Sequence, residues 1–153
     1  MNVRPAAETD TEDLLRLLDE QISFHAELLP SFFRATPASE LRIRAVFDDP
    51  NAEFLVADDS GTLCGLAQLQ FCSAKDLPIL VPKVYARIQE LVVSHGHRGC
   101  GVGTALMEAC RTWARGRGAV SLRTSVVFAN RQARAFYDRH GFVDLMVNIE
   151  AEL

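Results

Sequence analysis

Two amphipathic helices are predicted in the first part of the chain. Apolar residues between Leu14 and Ile22 recur at the three- and four-residue spacing of a helix face. The run 9–12, Thr-Asp-Thr-Glu, lies just before them and has the spacing of a capping box. Thr36 and Pro37 predict the start of a second helix, because threonine suits an N-cap and proline suits the first helical position. A short strand is predicted at 3–6.

The rest of the pattern alternates strands with two further helices. Strands are predicted at 53–58, 63–71, 85–93 and 119–127, with a final extended stretch at 142–153. Helices are predicted at 102–116 and 130–141, and the prolines within 75–82 predict a loop. The order β-α-α-β-β-β-α-β-α-β predicts an α/β protein whose helices pack on the faces of a mixed sheet.

The segment from Glu90 to Leu106 predicts a strand, a tight basic turn and the first turn of a helix. The first amides of a helix have no partner within it and lie at the positive end of the helix dipole, so anions bind there. Three glycines between positions 99 and 103 leave room for a phosphate against these amides and permit positive φ angles. Arg98 adds a fixed positive charge. This layout is typical of a phosphate-binding turn.

Two kinds of nucleotide site are disfavoured by the same residues. A P-loop requires Gly-Lys-Ser/Thr, whereas Gly103 is followed by Thr104 and no lysine. A dinucleotide-binding turn requires its third glycine three residues after the second, and counting from Gly101 that position is Thr104. A glycine-rich turn that holds no ligand remains the alternative.

Arg98-x-x-Gly101-x-Gly103 resembles the signature of the GCN5-related N-acetyltransferases, Gln/Arg-x-x-Gly-x-Gly/Ala, which lies between the fourth strand and the third helix of that family. Residues 130–142 are similar to the family's later motif, in which an Asn opens a helix, a Phe-Tyr pair follows, and a Gly-Phe ends it. The resemblance implies an N-acetyltransferase fold in which two strands splay apart to hold the pantetheine arm of acetyl-CoA as cosubstrate.

The resemblance also implies which residues hold acetyl-CoA. The turn would bind the diphosphate, Asn130 would contact the pantetheine, and strand amides would donate to the thioester carbonyl where the sheet opens. A phenol is a suitable proton donor to a departing thiolate, and Tyr137 is predicted as this acid. The residues predicted to bind the cofactor are Leu91, Val92, Val93, Arg98, Gly99, Cys100, Gly101, Val102, Gly103, Thr104, Asn130 and Tyr137.

The general base is where this sequence departs from the family pattern. Many members carry a glutamate on the strand before the turn, and the matching pair here is Gln89-Glu90. Glu90 is predicted as the base if a β-bulge turns it towards the site, since neighbouring strand residues face opposite ways. Glu20, His25 and Glu27, acting through water, are the alternatives.

Composition narrows the class of protein. With 153 residues, 48% of them apolar, the chain suits a single domain, 1–153. A net charge of -4 argues against a nucleic-acid partner. The four cysteines lack Cys-x-x-Cys spacing, and no apolar run reaches the roughly 18 residues of a membrane span. We therefore predict a cytoplasmic protein without membrane contact.

Several features remain open from the sequence. His95, His97 and Cys100 lie close together, but no fourth ligand stands at a usable spacing, so no metal is predicted. The acceptor is a small-molecule amine or a peptide, the latter including a protein N-terminus or a lysine. The resemblance implies a possible homodimer. An acyl-CoA-binding regulatory domain without turnover is the alternative, favoured by Gln89 at the position where relatives carry an acid.

Overall fold

The chain folds as a mixed sheet with helices on both faces, in a computed structural model that describes residues 1–73, 81 and 83–151. The described strands are β1 (Asn2–Pro5), β2 (Ala52–Asp59), β3 (Thr62–Ser73), β4 (Val84–Val93) and β5 (Ser121–Arg123). The described α-helices are α1 (Thr11–Leu28), α2 (Glu40–Asp48), α3 (Val102–Gly116) and α4 (Arg131–Arg139). The strand order is β1-β2-β3-β4-β5, antiparallel except for the parallel pair β4–β5. The predicted α/β class is confirmed.

Each face of the sheet has its own apolar core. On one face, Leu14 of α1 and Ile43 of α2 pack with Leu66 of β3. On the other face, Leu106 of α3 and Tyr137 of α4 share a core with residues of β2, β3 and β4. Within the described residues, no helix combines the length and the apolar character needed to cross a membrane.

Gly65 lies in β3 directly beneath α3. A Cβ atom at this position would stand 2.7 Å from the Val92 carbonyl oxygen and 3.1 Å from the Leu106 side chain. Because the nearest atom is backbone, we expect Gly65→Ala to lower the free energy of unfolding by about 1–3 kcal/mol, the usual cost of overpacking. Gly116→Ala, where an added Cβ meets nothing within 4 Å, is the matched control in urea unfolding. Equal stabilities of the two variants would contradict the close contact.

The first two helices begin later than the sequence predicts. Asp10, not Thr9, precedes α1, and its carboxylate accepts from Arg4 (2.7 Å) and from the Ala7 amide, so the capping box over 9–12 does not form. The Arg4 hydrogen bond holds the pKa of Asp10 below its usual range. The second helix starts at Glu40, because the preceding chain is tied to α1 by a hydrogen bond from the Ala38 amide to Asp19.

The last part of the chain also differs from the prediction. β5 is short because it pairs with β4 only as far as Arg87 and then separates from it. Residues 142–151, predicted as an extended stretch, join no strand of the described sheet. Most of the predicted loop 75–82 lies outside the described residues. The separation of β4 from β5 is the feature that opens a cleft in the sheet.

Candidate active site

A cleft of about 560 Å³ opens where β4 and β5 separate. Its walls come from the end of β4, the turn after it, the start of α3, one side of α4 and one side of α1. Ten of the twelve residues predicted to bind the cofactor line it: Leu91, Val92, Val93, Arg98, Gly99, Gly101, Gly103, Thr104, Asn130 and Tyr137. The structure therefore brings the two sequence motifs together at one site.

The backbone of β4 offers hydrogen-bonding groups to the cleft. The Ser94 amide donates to Cys64 of β3 (2.9 Å), whereas the Val93 carbonyl points the other way and accepts from Arg98 Nε (3.1 Å). Successive residues of a strand direct their peptide groups to opposite edges. Leu91 and Val93 therefore present their amides to the cleft. These are donors of the kind that the sequence predicts for an acyl-CoA carbonyl.

The turn after β4 exposes the N-terminus of α3. Gly99 and Gly101 have φ angles of +77° and +85°, and an added Cβ at either position would meet nothing within 4 Å. Glycine is needed at both positions because of these positive φ angles, and the space in front of the turn is free. The Ala105 amide donates to the Gly101 carbonyl (3.0 Å), which leaves the amides of 102–104 without helical partners.

The third glycine of the turn, Gly103, has a packing role, which differs from the conformational role of Gly99 and Gly101. A Cβ at Gly103 would lie 3.2 Å from the Phe136 ring, so this glycine lets α4 approach α3. Cys100 and Val102 do not line the cleft. The Cys100 side chain is exposed and that of Val102 is buried, so neither side chain forms part of the cleft wall.

Arg98 is held at the cleft by groups from two elements. Besides its hydrogen bond to Val93, its Nη2 lies 3.6 Å from the Glu20 carboxylate, and its guanidinium stands 5.7 Å from the centre of the Phe24 ring. The same Glu20 oxygen accepts from the His95 amide at 2.6 Å. Glu20, an alternative base in the sequence analysis, thus ties α1 to the turn and does not line the cleft.

A β-bulge lies beside Glu90, as the base prediction requires. Gln68 pairs with Glu90 while Leu69 pairs with Ile88, so Gln89 is the extra residue of β4. The bulge does not bring the Glu90 carboxylate into the cleft lining.

The Glu90 carboxylate faces the α1–α2 layer instead. One oxygen forms an ion pair with Arg42, and the other accepts from Gln21 Nε2 at 2.7 Å. Both oxygens therefore contact the α1–α2 layer and not the cleft. Of the other predicted bases, Glu27 is exposed outside the cleft, whereas His25 lines it.

Tyr137 lines the cleft and is buried, with 9% of its surface exposed. Burial raises the pKa of its phenol to about 12, and a hydrogen bond with Thr124 acts in the opposite direction. The Thr124 hydroxyl itself donates to the Ile88 carbonyl of β4 (3.2 Å). The raised pKa keeps Tyr137 protonated throughout the neutral range, as a proton or hydrogen-bond donor requires.

Because the Tyr137 phenol is buried, we expect the folded protein to lose stability at alkaline pH. Below about pH 10 both the folded and the unfolded chain hold this proton, and above it the unfolded chain releases the proton first, so rising pH favours unfolding. With a folded pKa of about 12, the wild type should lose about 1.4 kcal/mol more than Tyr137→Phe between pH 9 and pH 11. Urea unfolding of both proteins measures this difference. Parallel pH dependences would contradict the raised pKa.

Asn130 begins α4 and faces the cleft. Its Oδ1 accepts from the Ala133 amide (3.0 Å), which is the N-cap that the sequence predicts, and its Nδ2 remains as a donor. Sequence reasoning missed six lining residues: Gln21, Phe24, Gln132, Ala133, Phe136 and Arg139. Helical spacing from Asn130 and Tyr137 is a signal that could have found Ala133 on α4. The two α1 residues share a face with His25, but only the packing of α1 against β4 shows that this face meets the cleft.

His95, His97 and Cys100 do not converge on a common point. Across the described ranges, no group of three His, Cys, Asp or Glu side chains is placed to hold a metal ion. His95 and His97 form a short 3₁₀ turn between β4 and the glycines. The two histidines therefore belong to the turn that leads into Arg98.

The open sheet, the exposed helix N-terminus and the buried tyrosine define an acyltransferase type of cleft, and comparison with known proteins assigns the family. The model of the Acetyltransferase (GNAT) family matches residues 17–142, which include both sequence motifs. The chain belongs to this family, and the predicted class of enzyme, N-acetyltransferase, is confirmed at that level.

Individual relatives agree over the whole chain. "Uncharacterized N-acetyltransferase YhfO" of Bacillus subtilis (strain 168) is 24% identical over 158 residues, covering 99% of this chain and all of that protein. A mutant of the BH1408 protein from Bacillus halodurans superimposes with a TM-score of 0.96 at 23% identity, covering 100% of this chain and 99% of that one. Aminoglycoside N-acetyltransferase AAC(6')-Iy, solved in complex with CoA, has a TM-score of 0.72 at 15% identity, with 99% and 98% covered. These structural similarities establish the fold.

Proposed function

We propose that the protein transfers the acetyl group of acetyl-CoA to a primary amine. The observation that carries this proposal is the meeting, in one cleft, of the free amides of Gly103 and Thr104, the outward backbone of β4 and the protonated Tyr137. Each group suits a different part of an acyl-CoA thioester, and together they suit the whole molecule. Membership of the acetyltransferase family supports acetyl-CoA as the cosubstrate.

The lining residues support a position for each part of the cosubstrate. The diphosphate would lie on the α3 N-terminus beside Arg98, where amides and a guanidinium offer donors and positive charge. The pantetheine amides would follow the outward peptide groups of Leu91 and Val93 and reach the Asn130 side chain. The thioester would then lie near Tyr137, which shares the cleft with all of these groups.

The reaction forms a C–N bond and breaks the C–S bond of the thioester. A neutral amine attacks the carbonyl carbon, the nitrogen loses a proton, and the thiolate leaves with a hydrogen bond from Tyr137. Freeing an amine of pKa about 10.4 from its proton costs about 4–5 kcal/mol at pH 7. We propose His25 as the group that takes this proton through water, since it lines the cleft. Glu90 is less favoured for this role, because its carboxylate lies outside the cleft lining and is paired with Arg42.

The cleft supports an acceptor with a single amine and an apolar body. Among the lining residues that the structure describes, the permanently charged side chains are Arg98 and Arg139, and carboxylates are absent. Gln21 and Phe24 face the cleft from α1 beside His25. A polycation would find little compensating charge there, so we favour a small monoamine over a polyamine or a peptide rich in lysine.

The four unpaired cysteines favour the cytoplasm as the location.

Release of free thiol from acetyl-CoA tests the proposal. We expect turnover with simple monoamines, weaker turnover with an aminoglycoside and with peptides carrying a free N-terminus or a lysine, and a lower rate for His25→Gln. Mass spectrometry of the acceptor should show one added acetyl group. CoA is added alone in a parallel thermal shift assay, because a ligand at 100 Kd stabilises a protein by about 2.7 kcal/mol.

The same pair of assays separates the alternative function. Stabilisation by CoA without thiol release from any acceptor would favour an acyl-CoA-binding regulatory domain, which Gln89 and the engaged carboxylate of Glu90 make the second candidate. Absence of both effects would reject the cleft as a CoA site.

A further inference from the structure

Two arginines lie side by side at the point where the sheet opens. Arg87 of β4 and Arg123 of β5 are paired in register, and they are the last pair before the two strands separate. Neighbouring strands run about 4.8 Å apart, so the two side chains leave the sheet next to each other. Leu122 packs on the core of α3 and α4, so Arg123 faces the opposite side of the sheet. The pair therefore lies at the apex of the opening, on the side of α1 and α2.

Both guanidiniums keep their charge and most of their donors. Arg87 Nη2 donates to the Ser125 hydroxyl at 3.0 Å, which is a neutral partner and uses one of five N–H donors. The Arg123 guanidinium lies 3.9 Å from the centre of the Tyr85 ring, a contact made by the ring and not by its hydroxyl. Stacking leaves the N–H edge of a guanidinium available, because its donors lie in the plane of the group. Among the residues that the structure describes, neither arginine forms an ion pair.

Two carboxylates near this face of the sheet are engaged by other groups. Glu90 is paired with Arg42. Asp49 accepts from Nε2 of Gln70, the residue of β3 that is in register with Arg87, at 3.1 Å. Like charges at adjacent positions of a sheet repel each other unless an anion offsets them. The arginine pair is thus a site of positive charge that an external anion would stabilise.

The arginine pair adjoins the group that is proposed to assist the leaving thiolate. Thr124 follows Arg123, and its hydroxyl donates at 3.2 Å to the carbonyl of Ile88, which follows Arg87. The Tyr137 phenol has a hydrogen bond with the same Thr124. One strand residue spans about 3.3 Å, so each arginine backbone lies one such step from this contact. An acceptor whose amine reaches the thioester can therefore place a second group, a few bonds away, at the arginines.

The cosubstrate leaves the arginine pair unoccupied. Neither Arg87 nor Arg123 lines the cleft in which acetyl-CoA is proposed to bind. The diphosphate is assigned to Arg98, which follows the far end of β4. The arginine pair is therefore left for a group of the acceptor.

We propose that Arg87 and Arg123 bind an oxyanion of the acceptor, which is then a small molecule with one primary amine and one carboxylate or phosphate-type group. Guanidiniums bind such groups through parallel, charge-assisted hydrogen bonds. This inference rests on the acetyl-transfer proposal and names the acceptor class for it. The anion lies at the apex of the opening, and the amine lies in the cleft.

Pairs of acids and amides test the acceptor class. β-Alanine, γ-aminobutyrate and δ-aminovalerate are each compared with their own carboxamide, which has the same length and no negative charge. Thiol release from acetyl-CoA gives kcat/KM for every acceptor. Aminopropylphosphonate, which has the spacer of γ-aminobutyrate, distinguishes the two sources of the oxyanion: the better acceptor of the two shows whether a phosphate-type group or a carboxylate is preferred.

Substitution of each arginine isolates its contribution. In Arg87→Gln and Arg123→Gln the ratio of kcat/KM between the preferred acid and its amide should fall about tenfold or more, as expected for loss of a hydrogen bond to a charged group. Arg115→Gln removes the same charge from the exposed last turn of α3 and should keep the ratio of the wild type. Damage to the fold lowers both rates and leaves the ratio unchanged. The different basicity of acid and amide cancels, because the same compounds are used with every protein.

A binding measurement separates failure of this inference from failure of the proposed function. Each acid is added to the CoA-bound protein in a thermal shift assay. If no acceptor releases thiol, acetyl transfer to these amines is rejected, and a shift that is lost in Arg87→Gln and Arg123→Gln still supports the anion site. If thiol is released, a ratio that is unchanged in both arginine variants overturns the inference. A shift that is absent, or equal in the wild type and both variants, overturns it when no turnover is seen.

Discussion

Tyr137→Phe is expected to lower kcat for acetyl transfer about 100-fold or more and to leave the Kd of acetyl-CoA nearly unchanged, because general acid assistance typically contributes 10²–10⁴-fold. The variant removes only the hydroxyl, and the ring keeps its place in the core between Phe136 and Phe142. Steady-state kinetics with a reactive monoamine and calorimetry with acetyl-CoA measure the two quantities separately. An unchanged kcat would refute the role.

Tyr85 provides the matched control for this experiment. It is the other tyrosine of the chain, and it contacts Arg123 on β5 rather than the cleft. Tyr85→Phe deletes the same atom and should leave kcat within about twofold of the wild type. A substitution that lies outside the cleft and the buried core usually has a small effect. A similar fall in both variants would show that the loss at Tyr137 is structural.

The raised pKa determines how the phenol acts. A complete proton transfer from a group with a pKa of about 12 to the thiolate of a thiol with a pKa of about 8.5 is uphill by about 5 kcal/mol in water. Burial beside Tyr137 also raises the pKa of the thiol, because desolvation disfavours every anion. We therefore expect a hydrogen bond to form first and the proton to move only as charge builds on sulfur. The rate of the wild type should show no loss from Tyr137 deprotonation between pH 7 and pH 10.

Arg98→Ala is expected to weaken acetyl-CoA binding by about 10- to 100-fold, the range for loss of a hydrogen bond to a charged group of 1.5–3 kcal/mol. The kcat at saturating acetyl-CoA should change little, because the guanidinium is assigned to the diphosphate and not to the thioester. Calorimetry measures the Kd, and KM for acetyl-CoA should rise in parallel. Arg98→Lys should be intermediate, since lysine keeps the charge and lacks the forked donors.

Arg115→Ala controls for loss of one positive charge. Arg115 is exposed in the last turn of α3, at the opposite end of the helix from the cleft, so its removal should leave the Kd unchanged. Because Arg98 also contacts Val93 and Glu20, thermal melting of the apo variant must be compared with the wild type. Equal acetyl-CoA affinity in Arg98→Ala and the wild type would remove this arginine from the site.

Prediction from sequence succeeded where the determining interactions are local. The turn at 98–104 and the cap at Asn130 depend on glycine conformations, unpaired helix amides and a side chain three residues from its partner. Helical spacing in 131–139 placed Asn130 and Tyr137 on one side of α4, and both line the cleft. The second and third strands of the sheet also follow closely from their β-rich runs.

Glu90 shows the limit of the same reasoning. Alternation along β4 and a bulge at Gln89 decide only on which face of the sheet the Glu90 side chain lies. The partners on that face, Arg42 and Gln21, come from two helices that lie far away in sequence. The role predicted for Glu90 rests on its position on a strand, whereas its carboxylate contacts the α1–α2 layer.

The amino-acid order alone determined the α/β pattern, the conformation of the glycine-rich turn at 98–104 and the Asn130 cap, because each depends on residues within a few positions of one another. Tertiary structure decided the opening between β4 and β5, the packing of Phe136 against Gly103, and the burial that raises the pKa of Tyr137. These features depend on surfaces that meet only when distant segments pack, and short-range spacing carries no information about such contacts.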